Sequence, residues 1–254
     1  MSPLEYCRPK SISEAVAMVR HGRPLAGGTK VTPGRRGIRA LVDLQDLDLD
    51  GLEFEEDHIL AGATVKLQSL VAAGDRIPAA LVEACRQEAG LNLRNMATLA
   101  GTIVCADGRS PIVTTLLALG TQGLLEPGGE ELSLDDLLDR RGEGLAGRLI
   151  VSFRIPRPAH LGYEQVARAP ADRPMVCAAV ARLGGKHSRP EYRVALGGFG
   201  PRPITLQAEK GDPERGAEAA RSAYASAGDA WASAEYRSSV AGVLVGRLLK
   251  EAVV

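Results

Sequence analysis

Aromatic side chains are scarce in this chain of 254 residues, which has three Phe, five Tyr and one Trp. Its core must therefore be aliphatic. Cysteine is also sparse. Cys7, Cys85, Cys105 and Cys177 lie far apart and form no CxxC pair, so the spacings that hold zinc or an iron–sulfur cluster are missing. The four read as buried or incidental thiols. Net charge is absent, with 31 basic and 31 acidic side chains. That removes any global pull toward nucleic acid or an anionic membrane, and one barrier to assembly. No segment approaches the roughly 18–20 consecutive apolar residues of a membrane span. The N-terminal MSPLEYCRPK has no apolar run of signal-peptide type, and a cytoplasmic protein is expected. There is no GxSxG and no Ser-His-Asp order, which argues against a hydrolase. His21, His58, His160 and His187 have no metal-type spacing and read as surface residues.

What is present is an ordinary soluble composition, 45% hydrophobic and 24% charged, long enough for one large or two small domains. SISEAVAMVRHG at 11–22 predicts a helix capped by Ser11 or Ser13. Pro24 and Leu25 end a short strand. ALVDLQDL at 40–47 begins as a strand that Asp43 and Asp46 close. Residues 58–61 predict a strand, then a turn at Gly62 and a short helix capped near Thr64. PAALVEACRQEA at 78–89 predicts an amphipathic helix, and TIVCAD at 102–107 a short strand. SPIVTTLLALG at 110–120 carries helix punctuation at both ends: Ser110 as N-cap, Pro111 at the first helical position, Gly120 as the stop. The polar, glycine-rich stretch 123–147 reads as a loop with one short helix, and LIVSFRIP at 149–156 as a strand. Residues 157–162 read as a connector to a second unit with strands at 176–183 and 191–199 and helices near 214–227 and 236–252. Strands mixed with helices, with few clean βαβ spacings, predict an α+β fold.

Two glycine-containing turns stand out, LAGGTK at 25–30 and TLAGT at 98–102. Successive N–H groups in such a turn can converge on an anion, and the missing Cβ lets phosphate oxygens approach the backbone. Neither turn is a GxGxxG or a GxxxxGK[ST]. Taken alone, each serves equally as a plain strand-to-loop turn.

Taken in order along the chain, longer stretches resemble the flavin-binding subunit of the molybdenum hydroxylases, a family that includes the medium subunit of carbon monoxide dehydrogenase and the flavin domain of xanthine dehydrogenase. The stretches are LEYCRPKSISEAVAMV, PLAGGTKV, LVDLQDLDLDGLEFEEDHILAGATVKLQSL and NLRNMATLAGTIVCADGRSPIVTTLLAL, then YEQVARAPAD, RVALGGFGPRPI and ASAEYR. The resemblance implies an α+β fold with an FAD-binding domain of the vanillyl-alcohol-oxidase/PCMH type over 1–156, in subdomains of about 1–57 and 58–156. A smaller α+β C-terminal domain of the carbon monoxide dehydrogenase flavoprotein type would cover 157–254. It places the FAD diphosphate on Leu25, Ala26, Gly27, Gly28, Thr29 and Lys30 from one side and on Thr98, Leu99, Ala100, Gly101 and Thr102 from the other. It also puts Val151 near the flavin. A 2Fe–2S small subunit and a molybdopterin-binding large subunit are the implied partners, and the chain would pass electrons through FAD to an external acceptor.

The match departs from the family at four positions. Ala100 and Thr102 replace a glycine and an asparagine in the second loop, Pro111 replaces an aspartate, and Lys30 stands where an aspartate is frequent. Asp107 is a stand-in for the lost acid at 111. Ala100 adds a methyl where the backbone should meet phosphate and disfavours positive φ. The alternative these changes motivate is a non-flavin scaffold of the same fold, in which Ala100→Gly and Thr102→Asn would restore binding. Arg35, Arg36 and Arg39 form a solvated turn or meet phosphate or a partner. Arg173 stands where relatives have an aromatic or aliphatic side chain, Arg168 and Asp172 read as an ion pair or as flavin neighbours, and Trp231 and Tyr236 read as anchors for the C-terminal helix or as partner contacts.

Overall fold

The computed structural model describes residues 4–31, 37–184, 190–207 and 211–253; Arg35, Arg36 and His187 lie outside them. The chain divides into two compact units. The first comprises Met1–Ala72, Leu91–Cys105 and Gln122–Ile155, the second Ala73–Gly90, Ala106–Thr121 and Pro156–Val254.

In the first unit a small parallel sheet, ordered β1-β3-β2, is made of β1 (Glu5–Cys7), β2 (Arg23–Leu25) and β3 (Ala40–Asp43). Helix α1 (Ile12–Val19) joins β1 to β2. Ser11 is its N-cap: Oγ accepts from the Glu14 N–H (3.2 Å), and Glu14 Oε2 reaches back to the Lys10 N–H (2.8 Å). A five-stranded sheet, ordered β4-β5-β8-β6-β7, contains β4 (Leu52–Phe54), β5 (His58–Gly62), β6 (Gln122–Glu126), β7 (Glu130–Ser133) and β8 (Leu149–Pro156). Short helices α2 (Leu67–Ala72), α4 (Leu91–Arg94), α5 (Leu99–Cys105) and α7 (Leu134–Asp139) complete the unit. Ala15, Val16 and Val19 of α1 pack with Val42, Leu149 and Val151 in an all-aliphatic cluster.

The second unit is built on an antiparallel sheet ordered β12-β11-β10-β9, with β9 (His160–Val166), β10 (Val176–Leu183), β11 (Glu191–Gly197) and β12 (Ile204–Gln207). Its helices are α3 (Ala79–Glu88), α6 (Pro111–Leu119), α8 (Pro213–Ala223) and α9 (Ala234–Val253). Strand β10 is buried from Val176 to Ala181 because both its faces are covered. Val176, Ala178 and Val180 pack with Leu244, Leu248 and other α9 residues. The intervening Cys177 meets Thr114 of α6, Sγ to Oγ1 at 3.6 Å, and burial pushes its thiol up to about 12. All nine residues of α6 are buried, which explains why it carries no charged side chain; the Thr114 and Thr115 hydroxyls bond to the Ser110 and Pro111 carbonyls (2.8 and 2.9 Å). Ser110 Oγ accepts from the Val113 N–H (3.3 Å), Pro111 opens the helix, and Gly120 closes it at φ +70°.

Two expectations are corrected. Residues 102–107 are not a strand; 102–105 belong to α5. Thr98 Oγ1 caps this helix by accepting from the Gly101 N–H (3.3 Å), and Leu99 and Ile103, four residues apart on one face, are both fully buried. Tertiary burial overrides the β preference of Thr102, Ile103 and Val104. Residues 122–133 are not a loop but the β6–β7 hairpin, paired from Gln122↔Ser133 to Leu125↔Glu130. In addition, β9 begins at His160, so the connector expected at 157–162 is shorter. Among the described residues no helix is long and apolar enough to cross a membrane.

The anchor at the C-terminal ASAEYR is neither Trp231 nor Tyr236, which stay 48% and 40% exposed. It is Arg237, fully buried. Its Nε donates to the Met175 carbonyl (3.0 Å), NH1 to the Ala227 carbonyl (2.8 Å) and NH2 to Asp229 Oδ2 (3.0 Å). Its guanidinium lies 5.0 Å from the Phe199 ring centroid.

Candidate cofactor site

The first unit encloses a cavity of about 570 Å³. Ala26, Gly27, Gly28, Thr29 and Lys30 line it, as do Thr98, Ala100 and Gly101. The two glycine stretches therefore meet at one place. They meet closely: a Cβ on Gly27 would overlap the Met96 carbonyl, so the glycine at 27 is needed for one loop to lie on the other. Gly28 sits at φ +69°, where an L side chain is disfavoured.

The two stretches differ in what they offer. Among the described residues, no hydrogen bond takes up the N–H groups of Gly27, Gly28 and Thr29. In the second stretch every N–H from 99 to 102 is already used. Leu99 donates to the Val65 carbonyl (2.8 Å), Ala100 to Ala63 (3.0 Å), Gly101 to Thr98 Oγ1 (3.3 Å) and Thr102 to the Thr98 carbonyl (2.8 Å). The second stretch thus contributes a smooth small-residue wall, and the first contributes free backbone donors. Leu99 and Val151 are core residues. The Val151 carbonyl accepts from the Ala63 N–H (3.0 Å), which ties β8 to the residue that holds Ala100. Leu25 likewise acts through its carbonyl, which accepts from Leu44 (2.9 Å). Thr102 is half-buried in α5 and is not among the lining residues.

Ala100 carries no backbone strain, since Asp48 is the one non-glycine residue at positive φ among those described. Ala100→Gly is therefore expected to leave cofactor affinity nearly unchanged and to lower stability by about 0.5–1 kcal/mol, the ordinary cost of glycine inside a helix. Urea denaturation paired with a cofactor titration checks both halves.

Among the described side chains, the lining holds Arg23, Lys30 and Arg148 and no aspartate or glutamate. Such a wall favours an anion. Arg23 and Arg148 were not singled out in the sequence, nor was the stretch GEGLAG at 142–147, of which Gly142, Leu145, Ala146 and Gly147 also line the cavity. That stretch does have GxGxxG spacing, which was the available signal.

Asp107 belongs to the second unit. Arg173 donates to both its oxygens (2.7 and 2.5 Å), and the Arg109 N–H donates to Oδ1 (2.8 Å). Burial pushes the Asp107 carboxyl up, but the Arg173 and Arg109 bonds and charges outweigh it and hold it below the usual carboxylate range. Because the folded-state value is lowered, this pair contributes stability above the unfolded value of about 3.9, and the contribution is lost as pH falls through the folded value. Acid titration followed by circular dichroism should show Asp107→Asn losing stability at neutral pH and showing less further loss below about pH 4 than the parent. Nearby, Arg168 pairs with Asp172 (3.3 Å), and the Trp231 ring lies between Arg109 and Arg168 at 5.0 and 4.6 Å. Of the described histidines, His58 is mostly buried against the Asp57 carboxylate (2.6 Å), and His160 has a buried Nε2 without a hydrogen-bond partner. The surface reading fails for both.

Residues 2–158 match the family described as FAD binding domain in molybdopterin dehydrogenase. The chain belongs to that family. It is 30% identical over 253 residues to the uncharacterized protein YgfM of Escherichia coli (strain K12), covering 96% of this chain and 94% of that protein. It is 28% identical over 278 residues to the carbon monoxide dehydrogenase medium chain of Afipia carboxidovorans OM5, covering 98% and 96%. Its fold matches a chain of the reconstituted CO dehydrogenase from Oligotropha carboxidovorans with a TM-score of 0.80, at 26% identity and 99% and 98% coverage. As a member of this FAD-binding family, the chain is an oxidoreductase subunit with FAD as its cofactor. The cavity fits that cofactor. A diphosphate needs donors and positive potential, and among the described residues the wall supplies three N–H groups without a partner and three cations.

Proposed function

We propose that this chain holds FAD in a molybdenum hydroxylase complex and passes electrons from a 2Fe–2S small subunit to an external acceptor. A molybdopterin-binding large subunit acts on the substrate. The observation that carries this reading is the cavity lined by Arg23, Lys30 and Arg148, where no described residue takes up the N–H groups of Gly27, Gly28 and Thr29, in a chain related over 98% of its length to a carbon monoxide dehydrogenase medium chain. Those three N–H groups take the diphosphate, and Lys30 adds countercharge. Thr98, Ala100 and Gly101 form the facing wall, with Leu25, Leu99, Thr102 and Val151 shaping it from behind. FAD supplies the electron-transfer chemistry when bound, and the protein orients it and sets its surroundings. No acid–base side chain is required of this chain. The chain has no cysteine spacing for an iron–sulfur cluster, which is why the cluster is assigned to a partner.

The test is an absorbance scan of the purified chain from about 300 to 550 nm, followed by FAD titration and co-expression with the two partner subunits. Flavin bands or saturable micromolar binding are expected. A colourless chain that refuses FAD alone and in the complex would sink the reading. The non-flavin scaffold, motivated by the changes at Ala100, Thr102 and Pro111, is not favoured in a member of an FAD-binding family, and Ala100 itself is unstrained.

A further inference from the structure

In the stretch GEGLAGR at 142–148, Gly142, Leu145, Ala146, Gly147 and Arg148 make a further wall of the same cavity. Despite its GxGxxG spacing, the run leads into a strand, β8, rather than from a strand into a helix, so it is not a dinucleotide fingerprint of the Rossmann kind. Gly142 and Gly147 take φ +81° and +71°, conformations that glycine adopts without strain. They bend the chain around the 3-10 turn Gly142–Leu145 and deliver Arg148 to the wall just ahead of β8.

Arg148 is held from one edge. Its NH1 pairs with Glu130 of β7, and Arg140 grips the other oxygen of the same carboxylate at 2.9 Å. The bonds from Arg148 and Arg140 hold the Glu130 carboxyl below its usual range, so it stays charged and keeps the guanidinium in place. Glu130 is not itself among the lining residues. The Nε of Arg148 is buried and has no hydrogen-bond partner. An unmet buried donor on a fixed cation is poorly explained by folding alone.

We infer that the 142–148 turn is a third phosphate-facing wall, in which Arg148 is a cofactor-binding residue that presents its charge to the FAD diphosphate and Glu130 is the positioning residue that aims it. The inference rests on the FAD reading above.

The test uses the full chain and three probes: FAD, ADP (which shares the diphosphate) and riboflavin (which lacks it). Arg148→Gln is expected to weaken FAD and ADP by at least about tenfold while leaving riboflavin within about twofold, by fluorescence and competition titration. Arg148→Lys keeps the charge and should retain most of the ADP affinity; Glu130→Gln should fall between. Unchanged FAD and ADP affinity in Arg148→Gln would overturn the inference, and so would an equal loss for riboflavin, which is the mark of a merely structural residue. Should the glutamine variant fail to fold, the lysine and Glu130→Gln variants carry the same comparison. A parent chain that binds neither FAD nor ADP would instead remove the FAD reading itself.

Discussion

Arg237→Ala is expected to cost about 2–4 kcal/mol, since it leaves two backbone carbonyls without a donor at about 1–3 kcal/mol each. Nothing in the second unit compensates for it. The guanidinium is fully buried and satisfies the carbonyls of Met175 and Ala227 and the carboxylate of Asp229. Met175 precedes β10, and Ala227 and Asp229 lie between α8 and α9. One side chain on α9 therefore ties the middle of the α8–α9 loop to the start of the central strand. Truncation leaves the Met175 and Ala227 carbonyls without this donor, while the exposed Asp229 carboxylate can turn to water. Asp229 also binds the N–H groups of Trp231 (2.8 Å) and Ala232 (3.1 Å), so the loop would keep part of its shape while losing its tie to β10. Urea denaturation followed by far-ultraviolet circular dichroism measures the effect. A loss below about 1 kcal/mol, the scale of an exposed pair, would show that the network is not what holds the segment. Arg237→Lys should recover little, because a single ammonium cannot span three acceptors set around a planar fork.

Gly27→Ala is the second large effect expected. The added methyl would overlap the Met96 carbonyl and come within 3.4 Å of Ala97 Cα. That backbone cannot easily retreat. Met96 and Ala97 donate to the Leu93 carbonyl (3.0 and 2.7 Å), and the Ala97 carbonyl accepts from Leu67 (3.0 Å). The first loop must give way instead, carrying the free N–H groups of residues 27–29 out of line. FAD affinity should fall at least about tenfold, or about 1.4 kcal/mol, with a stability loss of about 1–3 kcal/mol from overpacking. Gly51→Ala is the control, since a Cβ there meets nothing within 4 Å, and it should bind as the parent does. Binding by Gly27→Ala equal to that of the control would show that the approach of the two loops is not needed for the cofactor.

Local signals in the sequence were legible where the structure is decided locally. Helix α6 is the clearest example: Ser110, Pro111 and Gly120 each act where the sequence puts them, because caps depend on neighbours three or four residues away. Helix α5 was illegible for the opposite reason. Its β-branched run favours a strand, and only the burial of Leu99 and Ile103 makes it helical. The β6–β7 hairpin was hidden because QGLLE has little β character, although the glycines at its turn, Gly128 and Gly129, do take positive φ. The first glycine loop could be read as a donor surface. Where the N–H groups of the second loop go could not, since Ala63 and Val65 reach it through the fold. Arg148 was silent for the same reason: Glu130 and Arg140 come to it from the unrecognised hairpin and the short helix after it.

The chain changes units five times, at about residues 72, 90, 105, 121 and 155. The glycine loops at 25–30 and 98–102 therefore cannot be separated by a single cut from the segments that belong elsewhere. A fragment ending at 156 would keep both loops, yet it would also carry α3 and α6, and the strands against which α6 packs, β10 and β11, would be gone. Nine apolar or hydroxyl-bearing residues buried in the whole protein would face water. Such a fragment is expected to aggregate, and recombination between relatives should succeed only when both units are exchanged together. The flavin-holding half of this protein is not a detachable module.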